Sequence, residues 1–332
     1  MPLDLHEIDG PLRVLAGPGT GKTHALADLY EQAVRERVAG RGEILVLTFS
    51  TSAAAEISRR IDERLQDEYG EAWISTFHSF CARLLREHSM GLASERDRLL
   101  INGFQEWLVM RRVLADLDPT MLGPLEGVRR SDAFAQDVLT FVALMKQNLV
   151  HPSALVLAAE ASGSERLRVL ATVYQAYQLR LQQARMHDFR DLISGAIELL
   201  QSNRPLRETL RARFRLILVD EFQDVDPAQF ELLQLVAPSE TRPRLVVVGD
   251  PDQSIYGFRG TVPRLLSRDF AAVYGGATQS LEDCRRCSQE ALDGGERLLV
   301  ATQPGREPRR RRRRFPAAGN FPVRSRHRLR PG

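Results

Sequence analysis

A glycine-rich segment near the start of the chain has the residue types and spacing that bind phosphate. Residues 15–23 read Leu-Ala-Gly-Pro-Gly-Thr-Gly-Lys-Thr, between a short apolar run and a segment with helical apolar spacing. Glycines let backbone N–H groups converge on phosphate oxygens, and a following helix N-terminus adds partial positive charge. Lys22 is expected to reach the β- and γ-phosphates, and the Thr23 hydroxyl to take one site on Mg²⁺. The predicted phosphate loop consists of Ala16, Gly17, Pro18, Gly19, Thr20, Gly21, Lys22 and Thr23.

The alternative for this segment is a glycine-rich turn that binds nothing. Its first position holds Ala16, where the standard pattern has glycine. The chain has only two lysines, Lys22 and Lys146, against 44 arginines. A lysine at this position by chance is therefore disfavoured, and we predict a nucleotide-binding chain.

Two carboxylates follow a later apolar run. Residues 214–224 read Phe-Arg-Leu-Ile-Leu-Val-Asp-Glu-Phe-Gln-Asp, which places Asp220 and Glu221 at the carboxyl end of a predicted buried strand, where α/β proteins bind ligands. Asp220 is expected to hold Mg²⁺ through a water, and Glu221 to orient and deprotonate an attacking water. The alternative, an acidic first turn of a helix, remains open for Asp224 and Asp226. Together with the phosphate loop, the pair predicts a hydrolase.

A third apolar run leads into a segment rich in polar and aromatic side chains, residues 245–260. Gln253 follows the predicted strand and is expected to hydrogen-bond the γ-phosphate or the attacking water. Tyr256, Phe258 and Arg259 place two aromatic rings and a cation in one short loop, a combination that suits stacking on unpaired bases. The alternative for these three residues is an ordinary packed loop.

The elements that must position these residues are strands alternating with helices. Strands are predicted at 12–16, 44–49, 72–76, 216–219 and 245–248, and the last two are near-continuous apolar runs typical of a parallel sheet buried on both faces. From about 90 to 200, apolar residues recur at helical spacing. The predicted fold class is α/β, a P-loop protein with one doubly wound parallel sheet and a large all-helical insertion. The predicted boundaries are 1–89 and 201–300 for the sheet domain, and 90–200 for the insertion.

Composition excludes several classes of protein. The 43% hydrophobic and 27% charged fractions are those of a globular chain, and no apolar run approaches the roughly 18 residues of a membrane helix. The N-terminus lacks the basic start and apolar core of a secretion signal. Three cysteines do not make a disulfide framework, so a cytoplasmic location without membrane partners is expected.

The net charge of +3 is unevenly distributed. Residues 306–332 carry eleven arginines and one acid, Glu307, which gives this segment +10 and leaves −7 for residues 1–305. Such an Arg/Pro-rich segment with little apolar content predicts a disordered tail over 301–332. Two interpretations are open: a nucleic-acid-binding arm, or translated sequence without selected function, as after a frameshift. The second is favoured.

With these segments in hand, the chain resembles the UvrD/Rep/PcrA group of superfamily 1 DNA helicases. Residues 15–23 resemble helicase motif I, 47–56 motif Ia, 74–81 motif Ib, 220–224 motif II of the DExQD type, and 249–260 motif III. Residues 187–192, His-Asp-Phe-Arg-Asp-Leu, resemble the segment that ends the helical insertion in this group. The resemblance covers roughly residues 11–290, with six segments in the family order.

The resemblance implies a RecA-like domain with a helical subdomain that uses ATP and Mg²⁺ and drives 3′ to 5′ movement on single-stranded DNA. It implies that Lys22 and Thr23 bind phosphate and Mg²⁺, that Asp220 holds the metal and that Glu221 is the catalytic base. Gln223 and Gln253 are expected to sense the γ-phosphate and couple it to DNA. The implied single-strand path is lined by Phe49, Thr76, Phe77, His78 and Phe258.

The sequence departs from the family near both ends. No glutamine occurs before Gln32, so a Gln-containing segment that reads adenine is not evident. Residues 281–288 resemble motif IV, in which Arg286 is the best match for an arginine that contacts the γ-phosphate, with Arg285 as the alternative. No segment resembling motifs V and VI follows, which predicts a truncated or frameshifted gene. Two functions therefore stay open: a working ATPase completed by a partner chain that supplies a second RecA-like domain, or a nucleotide- and DNA-binding chain without motor activity. A P-loop ATPase outside the helicases is a third alternative, which the aromatic segments disfavour.

The pair Cys284 and Cys287 forms a Cys-x-x-Cys motif within the segment that resembles motif IV. Such pairs bind zinc or an iron–sulfur cluster, or act in redox chemistry. Because a closed zinc site needs four ligands and Cys81 belongs to a different segment, chance variation within motif IV is the favoured interpretation.

Overall fold

The computed structural model describes residues 3–66, 70–88, 98–254, 265–302 and 312–313, and these are the residues to which the structural statements below refer. The strands, in chain order, are β1 (Leu12–Ala16), β2 (Ile44–Thr48), β3 (Trp73–Thr76), β4 (Leu99–Leu100), β5 (Met186–His187), β6 (Leu216–Val219), β7 (Leu245–Gly249), β8 (Ala277–Leu281), β9 (Asp283–Cys284) and β10 (Arg312–Arg313). The α-helices are α1 (Lys22–Arg35), α2 (Thr51–Arg64), α3 (Phe77–His88), α4 (Gly103–Asp116), α5 (Asp132–Gln147), α6 (Pro152–Ser162), α7 (Glu165–Gln183), α8 (Asp191–Ser202), α9 (Arg204–Arg213), α10 (Pro227–Val236), α11 (Phe270–Tyr274) and α12 (Gln289–Thr302).

Six strands form one parallel sheet in the order β3-β2-β6-β7-β1-β8. Alternate residues of the inner strands enter two different cores, because successive side chains of a strand point to opposite faces. In β2, Leu45 and Leu47 pack on the face that α3, α8 and α10 cover, whereas Ile44 and Val46 pack on the face that α1 and α2 cover. The predicted α/β class with a parallel sheet is confirmed.

The outer strand β8 was not indicated by the sequence pattern. Its sequence is Ala-Thr-Gln-Ser-Leu and its side chains are mostly exposed. It pairs along its whole length with β1, from Leu12 opposite Ala277 to Ala16 opposite Leu281. An edge strand has a single neighbour and little buried surface, so it needs no apolar run and gives no signal of one.

The helices α4 to α7 surround a core of their own, which includes Met110, Val138, Val142 and Tyr177. The chain enters and leaves this helical part at adjacent points. There β4 pairs with β5 in parallel, Leu99 opposite Met186 and Leu100 opposite His187. Two-residue strands carry too little pattern to be seen in the sequence, so this junction was not predicted.

A buried lysine ties the helical part to the helix that follows it. Lys146 Nζ in α5 lies 2.5 Å from Asp188 Oδ2 and 2.7 Å from Asp191 Oδ1. Tyr177 donates a hydrogen bond to Asp188, and Gln178 donates one to Asp191. Burial alone raises the pKa of Asp188, but the charge and hydrogen bond of Lys146 outweigh it, so the net shift is downward. The lysine therefore holds the Asp188 carboxylate in its charged form.

Beyond the sheet, α12 continues to Thr302, and Arg312–Arg313 pair with Asp283–Cys284. The remaining residues of the predicted disordered tail lie outside the described ranges. Among the described helices, none has the length and apolar character needed to cross a membrane.

Candidate phosphate site and adjacent cleft

The turn between β1 and α1 has the conformation that its glycines allow. Gly19 and Gly21 have φ values of 71° and 89°, in the left-handed region that favours glycine. The Thr20 hydroxyl donates a 2.9 Å hydrogen bond to the Gly17 carbonyl within the turn. Among the described residues, no side chain caps the N-terminus of α1 at Gly21. The first N–H groups of a helix have no partner within the helix, so those of α1 are positioned to bind an anion.

Lys22 is the first residue of α1, and its side chain is only 9% exposed. Its ammonium group lies 3.0 Å from Glu221 Oε2 as an ion pair. The angles at this contact do not meet those of a hydrogen bond, and no other described residue accepts one from Nζ. A lysine ammonium has three donors. The buried and unsatisfied donors of Lys22 fit phosphate oxygens.

Thr23 and Asp220 form the second pair at this edge of the sheet. The Thr23 hydroxyl donates a 3.1 Å hydrogen bond to Asp220 Oδ2. Burial, reinforced by the negative charge of Glu221, raises the pKa of Asp220 to about 6. A carboxyl group that burial pushes toward its neutral form is one that a bound cation returns to the charged form. Hydroxyl and carboxylate oxygens are ligands that Mg²⁺ prefers, so the pair fits this ion.

Glu221 has an unusual backbone conformation, with φ 50° and ψ 44°. Such a left-handed conformation costs free energy for a residue other than glycine and persists where its surroundings hold it. Here it comes two residues after the end of β6, and the Glu221 N–H donates to Asp220 Oδ1 at 3.0 Å. Because of this turn, both successive carboxylates reach the first turn of α1, Asp220 at Thr23 and Glu221 at Lys22.

Gln223 connects the carboxylates to the end of β7. Its side-chain amide donates to Glu221 Oε2 at 2.6 Å, and its side-chain oxygen accepts from the Asp250 N–H at 2.9 Å. A Cβ at Gly249 would lie 2.6 Å from this oxygen, so only glycine allows the contact. Gln253 donates to Asp250 at 2.8 Å. Gln223 and Gln253, the residues expected to sense the γ-phosphate, therefore belong to one chain of hydrogen bonds, in which Asp250 connects them.

Arg286 lies beside the phosphate loop. A Cβ built on Gly19 would be 2.5 Å from the Arg286 Cβ, and the neighbouring Arg285 N–H donates to the Gly19 carbonyl at 2.9 Å. This position is next to the predicted phosphates, and Arg286 is exposed.

A cleft of about 710 Å³ lies between the sheet and the helical part. From the sheet side, it is lined by Phe49, Phe77, His78 and Asp224 among others. Leu139, Thr140 and Lys146 of α5 line the opposite wall, and Phe189 and Arg190 complete it. The structure therefore brings three of the predicted DNA-binding residues, Phe49, Phe77 and His78, to one cleft.

The other predicted DNA-binding residues are placed differently. Thr76 is not among the residues that line the cleft, and its hydroxyl accepts from the Ser79 N–H at 3.1 Å at the start of α3. Phe77 is almost fully buried in the core and contributes only to the cleft floor. Tyr256, Phe258 and Arg259 lie outside the described residues.

An aromatic pair forms one wall of the cleft, and the sequence analysis named only one of its members, His78. The rings of His78 and Phe189 are stacked, with centroids 4.2 Å apart and an interplanar angle of 24°. Phe189 is nevertheless 47% exposed. The signal was present in the segment 187–192, where an aromatic ring sits between two aspartates and next to an arginine. Nothing in the sequence alone separated it from a core residue.

Asp224 joins the two sites. It lines the cleft, and the Gln223 amide lies 3.5 Å from its Oδ2. Its Oδ1 is buried without a hydrogen-bond partner among the described residues, and burial, aided by Glu221, raises its pKa to about 6. Asp226, in contrast, is the N-cap of α10, where it accepts from the Gln229 N–H. The capping alternative is thus confirmed for Asp226.

We expect His78→Gln to reduce the acid sensitivity of the fold. Burial and the positive charge of Arg190 lower the pKa of His78 to about 4. As pH falls from the unfolded value near 6.5 toward 4, the unfolded chain takes up a proton that the folded chain does not, so stability decreases. After allowance for the partly exposed ring, this amounts to about 2 kcal/mol. Urea unfolding of both proteins at pH 7.5 and pH 4.5 measures it.

The carboxyl groups with raised pKa values, Asp220, Asp224 and Asp226, act in the opposite direction. They are common to both proteins, so the difference between wild type and His78→Gln isolates the histidine. Equal losses of stability in the two proteins would contradict the burial of a neutral His78.

The parallel sheet, the glycine turn before α1 and the carboxylates after β6 define the class: this is an α/β protein of the P-loop type with a RecA-like sheet. Comparison with protein families identifies it further. Residues 4–271 match the family described as UvrD/REP helicase N-terminal domain. Because this match covers most of the chain, the chain belongs to that family.

Individual relatives agree with the family match. The chain is 32% identical to the ATP-dependent DNA helicase UvrD1 of Mycobacterium leprae, over 92% of this chain and 39% of the relative. It is 31% identical to the ATP-dependent DNA helicase PcrA of Leuconostoc citreum, over 88% of this chain and 37% of the relative. PcrA of Staphylococcus aureus is 32% identical over 76% of this chain and 33% of the relative. The chain thus spans about two fifths of the length of the relatives that it matches most extensively.

Proposed function

We propose that this chain binds MgATP at the phosphate loop and hydrolyses it, and that it binds single-stranded DNA in the adjacent cleft as part of a 3′ to 5′ DNA helicase. The single observation that carries the proposal is the buried Lys22 ammonium with unsatisfied donors, next to the Thr23–Asp220 pair and in contact with Glu221. The names of the relatives, ATP-dependent DNA helicases, support it.

The side chains of the phosphate site have different proposed roles. Lys22 and the free N–H groups at the start of α1 are positioned to hold phosphate oxygens, and Thr23 and Asp220 to hold the metal. Bound Mg²⁺ would offset negative charge on the phosphates. Glu221 accepts the proton of the attacking water, and Gln223 holds its carboxylate in place through the 2.6 Å hydrogen bond. Arg286 adds a positive charge beside the loop.

The cleft has the features of a single-strand path. Bases stack on exposed aromatic rings with little dependence on sequence, and Phe189 stacked on His78 offers such a surface. Burial keeps the pKa of His78 near 4, so at neutral pH the ring is uncharged. Arg190, in the cleft wall, provides a cation for the phosphate backbone. Asp224 lines this cleft and adjoins Gln223, which supports coupling between DNA and ATP.

We also propose that residues 1–89 with 201–300 form the RecA-like domain and 90–200 the helical subdomain, with α8 at the end of that range packed on the sheet. Because the chain spans about two fifths of its relatives, unwinding is proposed only for an assembly that includes a second RecA-like domain, whichever chain carries it. The second candidate function is binding of MgATP and DNA without turnover. The Lys22–Glu221 ion pair favours it, because this contact holds the proposed base against the lysine.

We expect Phe189→Ala to abolish most of the stimulation of ATP hydrolysis by single-stranded DNA and to leave basal hydrolysis unchanged. Loss of one base–aromatic stack costs about 1–3 kcal/mol, so DNA affinity should fall by about 5- to 150-fold. Steady-state hydrolysis with and without an oligothymidine of increasing concentration measures both effects.

Phe104→Ala is the matched control, since Phe104 is 68% exposed and is not among the residues lining the cleft. It should behave as wild type. If Phe189→Ala bound DNA as tightly as wild type, the proposal that single-stranded DNA runs through the cleft would be refuted. Tight MgATP and DNA binding without turnover in the wild type would select the second candidate function.

A further inference from the structure

The cysteine pair that the sequence analysis left without a role lies against the phosphate loop. Cys284, in β9, is fully buried, and its thiol donates a 3.2 Å hydrogen bond to the Pro18 carbonyl. The next residue, Arg285, donates its N–H to the Gly19 carbonyl at 2.9 Å. Cys284 and Arg285 are therefore hydrogen-bonded to the carbonyl groups of Pro18 and Gly19, two consecutive residues of the phosphate loop.

The two thiols are also close to each other. The Cys287 N–H donates to Cys284 Sγ at 3.3 Å, and the side chains of the two cysteines form a hydrogen bond. Cys287 is partly exposed, whereas Cys284 is buried beneath it. Burial by itself raises the pKa of Cys284, but N–H groups of Cys287 and Arg286, together with the charge of Arg286, lower it overall. An accessible thiol thus adjoins a buried thiol of increased reactivity.

We propose that Cys284 and Cys287 form a reversible thiol modification site that is oxidised by low-molecular-weight disulfides such as glutathione disulfide, and that the resulting disulfide weakens nucleotide binding at the phosphate loop. The effect on nucleotide rests on the proposed function of that loop. Among the described residues, no group of three or more cysteine, histidine or acidic side chains suits a metal ion, so these residues supply no zinc site around the pair.

The chemistry proceeds by two exchanges. The Cys287 thiolate attacks one sulfur of glutathione disulfide, forms a mixed disulfide and releases one glutathione thiolate. The Cys284 thiolate then attacks the Cys287 sulfur of the mixed disulfide, which closes the intramolecular bond and releases the second glutathione. Two cysteine thiols are oxidised, and one glutathione disulfide is reduced to two glutathione molecules. A dithiol reductant reverses both steps.

The phosphate loop is packed closely against Cys284 and Arg286, so a disulfide at Cys284 is expected to affect it. A Cβ built on Gly19 would lie 3.0 Å from Cys284 Sγ and 2.5 Å from the Arg286 Cβ. When Cys284 Sγ is bonded to Cys287, it no longer has a proton to donate to the Pro18 carbonyl. Loss of this support, at a loop in close contact with the turn, is expected to weaken MgATP binding by about tenfold.

The experiment uses the full chain in glutathione buffers of increasing oxidised fraction. Intact mass after acid quenching reports the loss of two hydrogens that marks the disulfide, and calorimetric titration reports the Kd for MgATP. Circular dichroism of each form shows whether the fold is kept. Cys287→Ser cannot form the disulfide and serves as the test variant. Cys81→Ser is the matched control, because Cys81 is buried elsewhere and burial raises its pKa.

The expected result is a disulfide in wild type and Cys81→Ser, with a Kd about tenfold higher that dithiothreitol restores, and an unchanged Kd in Cys287→Ser. An oxidised wild-type chain that keeps its fold and its affinity would overturn the proposal, as would failure of the intramolecular disulfide to form. If the reduced wild type binds no MgATP, the proposed function itself fails, and the regulatory part fails with it. The two kinds of failure are distinguishable, because failure of the proposed function is seen in the reduced chain, whereas failure of the regulatory proposal is seen only on oxidation.

Discussion

Lys22→Ala is expected to weaken MgATP binding by about 100-fold and to abolish hydrolysis. Hydrogen bonds to charged groups contribute about 1.5–3 kcal/mol each, and every 1.4 kcal/mol corresponds to about tenfold in affinity. Lys22 is buried with unsatisfied donors, so in the bound state its contacts are made away from bulk water. Calorimetric titration with MgATP measures the loss of affinity.

The fold should survive this substitution. The partner of Lys22, Glu221, has a side chain that is 33% exposed, so the freed carboxylate is hydrated and little stability is lost. Thermal unfolding without nucleotide checks this expectation. A Lys22→Ala protein that is folded and binds MgATP as tightly as wild type would refute the assignment of the phosphate loop.

Glu221→Gln is the matched control, because it changes the other side of the same ion pair. It keeps the shape of the side chain but removes the proton acceptor, so binding should be retained within a few-fold while hydrolysis falls by about 10²- to 10⁴-fold. The two variants thus separate binding from turnover. Loss of binding in both would instead indicate a general disturbance of the turn after β6.

Lys146→Met is expected to lower the free energy of unfolding by about 3–5 kcal/mol. Its ammonium group lies 2.5 Å and 2.7 Å from the buried carboxylates of Asp188 and Asp191. Without it, two carboxylates that are already hydrogen-bonded to Tyr177 and Gln178 stay buried and lose their nearest counter-charge. Urea unfolding at pH 7.5, monitored by circular dichroism, measures the change.

The control for this prediction removes all three charges at once. Lys146→Met combined with Asp188→Asn and Asp191→Asn removes the three charges of this network, and replacing a buried ion network by neutral groups is often close to neutral for stability. The triple variant should therefore recover much of the loss. A single Lys146→Met variant within about 1 kcal/mol of wild type would show that the network does not hold the helical part to α8.

The parts of the fold that follow from apolar patterning were predictable from the sequence. The predicted strands at 12–16 and 216–219 match β1 and β6, and the three others differ by one residue at one end. These strands are buried on both faces, so their apolar runs are continuous. Edge strand β8 and the short pair β4–β5 bury little surface, and they left no pattern to detect.

The site was predictable where a residue type alone determines the chemistry. Lys22, Thr23, Asp220 and Glu221 lie together as expected, because the turn after β1 and the end of β6 meet at one edge of the sheet. The left-handed backbone at Glu221 was not predictable, since it depends on tertiary contacts rather than on local preference.

Contacts between distant segments were also beyond sequence reasoning. The stacking of Phe189 on His78 joins two segments about 110 residues apart. The position of Cys284 against Pro18 depends on the pairing of β8 with β1. Lys146 stood out only as the second lysine, and its two carboxylate partners became visible in the structure alone.

The pairing of β4 with β5 has a consequence for the order in which the chain folds. Once β3 has paired with β2, the chain between β3 and β6, roughly 140 residues, must close as a loop before β2 and β6 pair. If the helical part assembles first, its two ends are already held together, and the loop that remains is effectively roughly 50 residues long. Closing the shorter loop costs about 0.9 kcal/mol less conformational entropy. In that order of folding, the small β4–β5 junction shortens the loop that must close before the central strands pair.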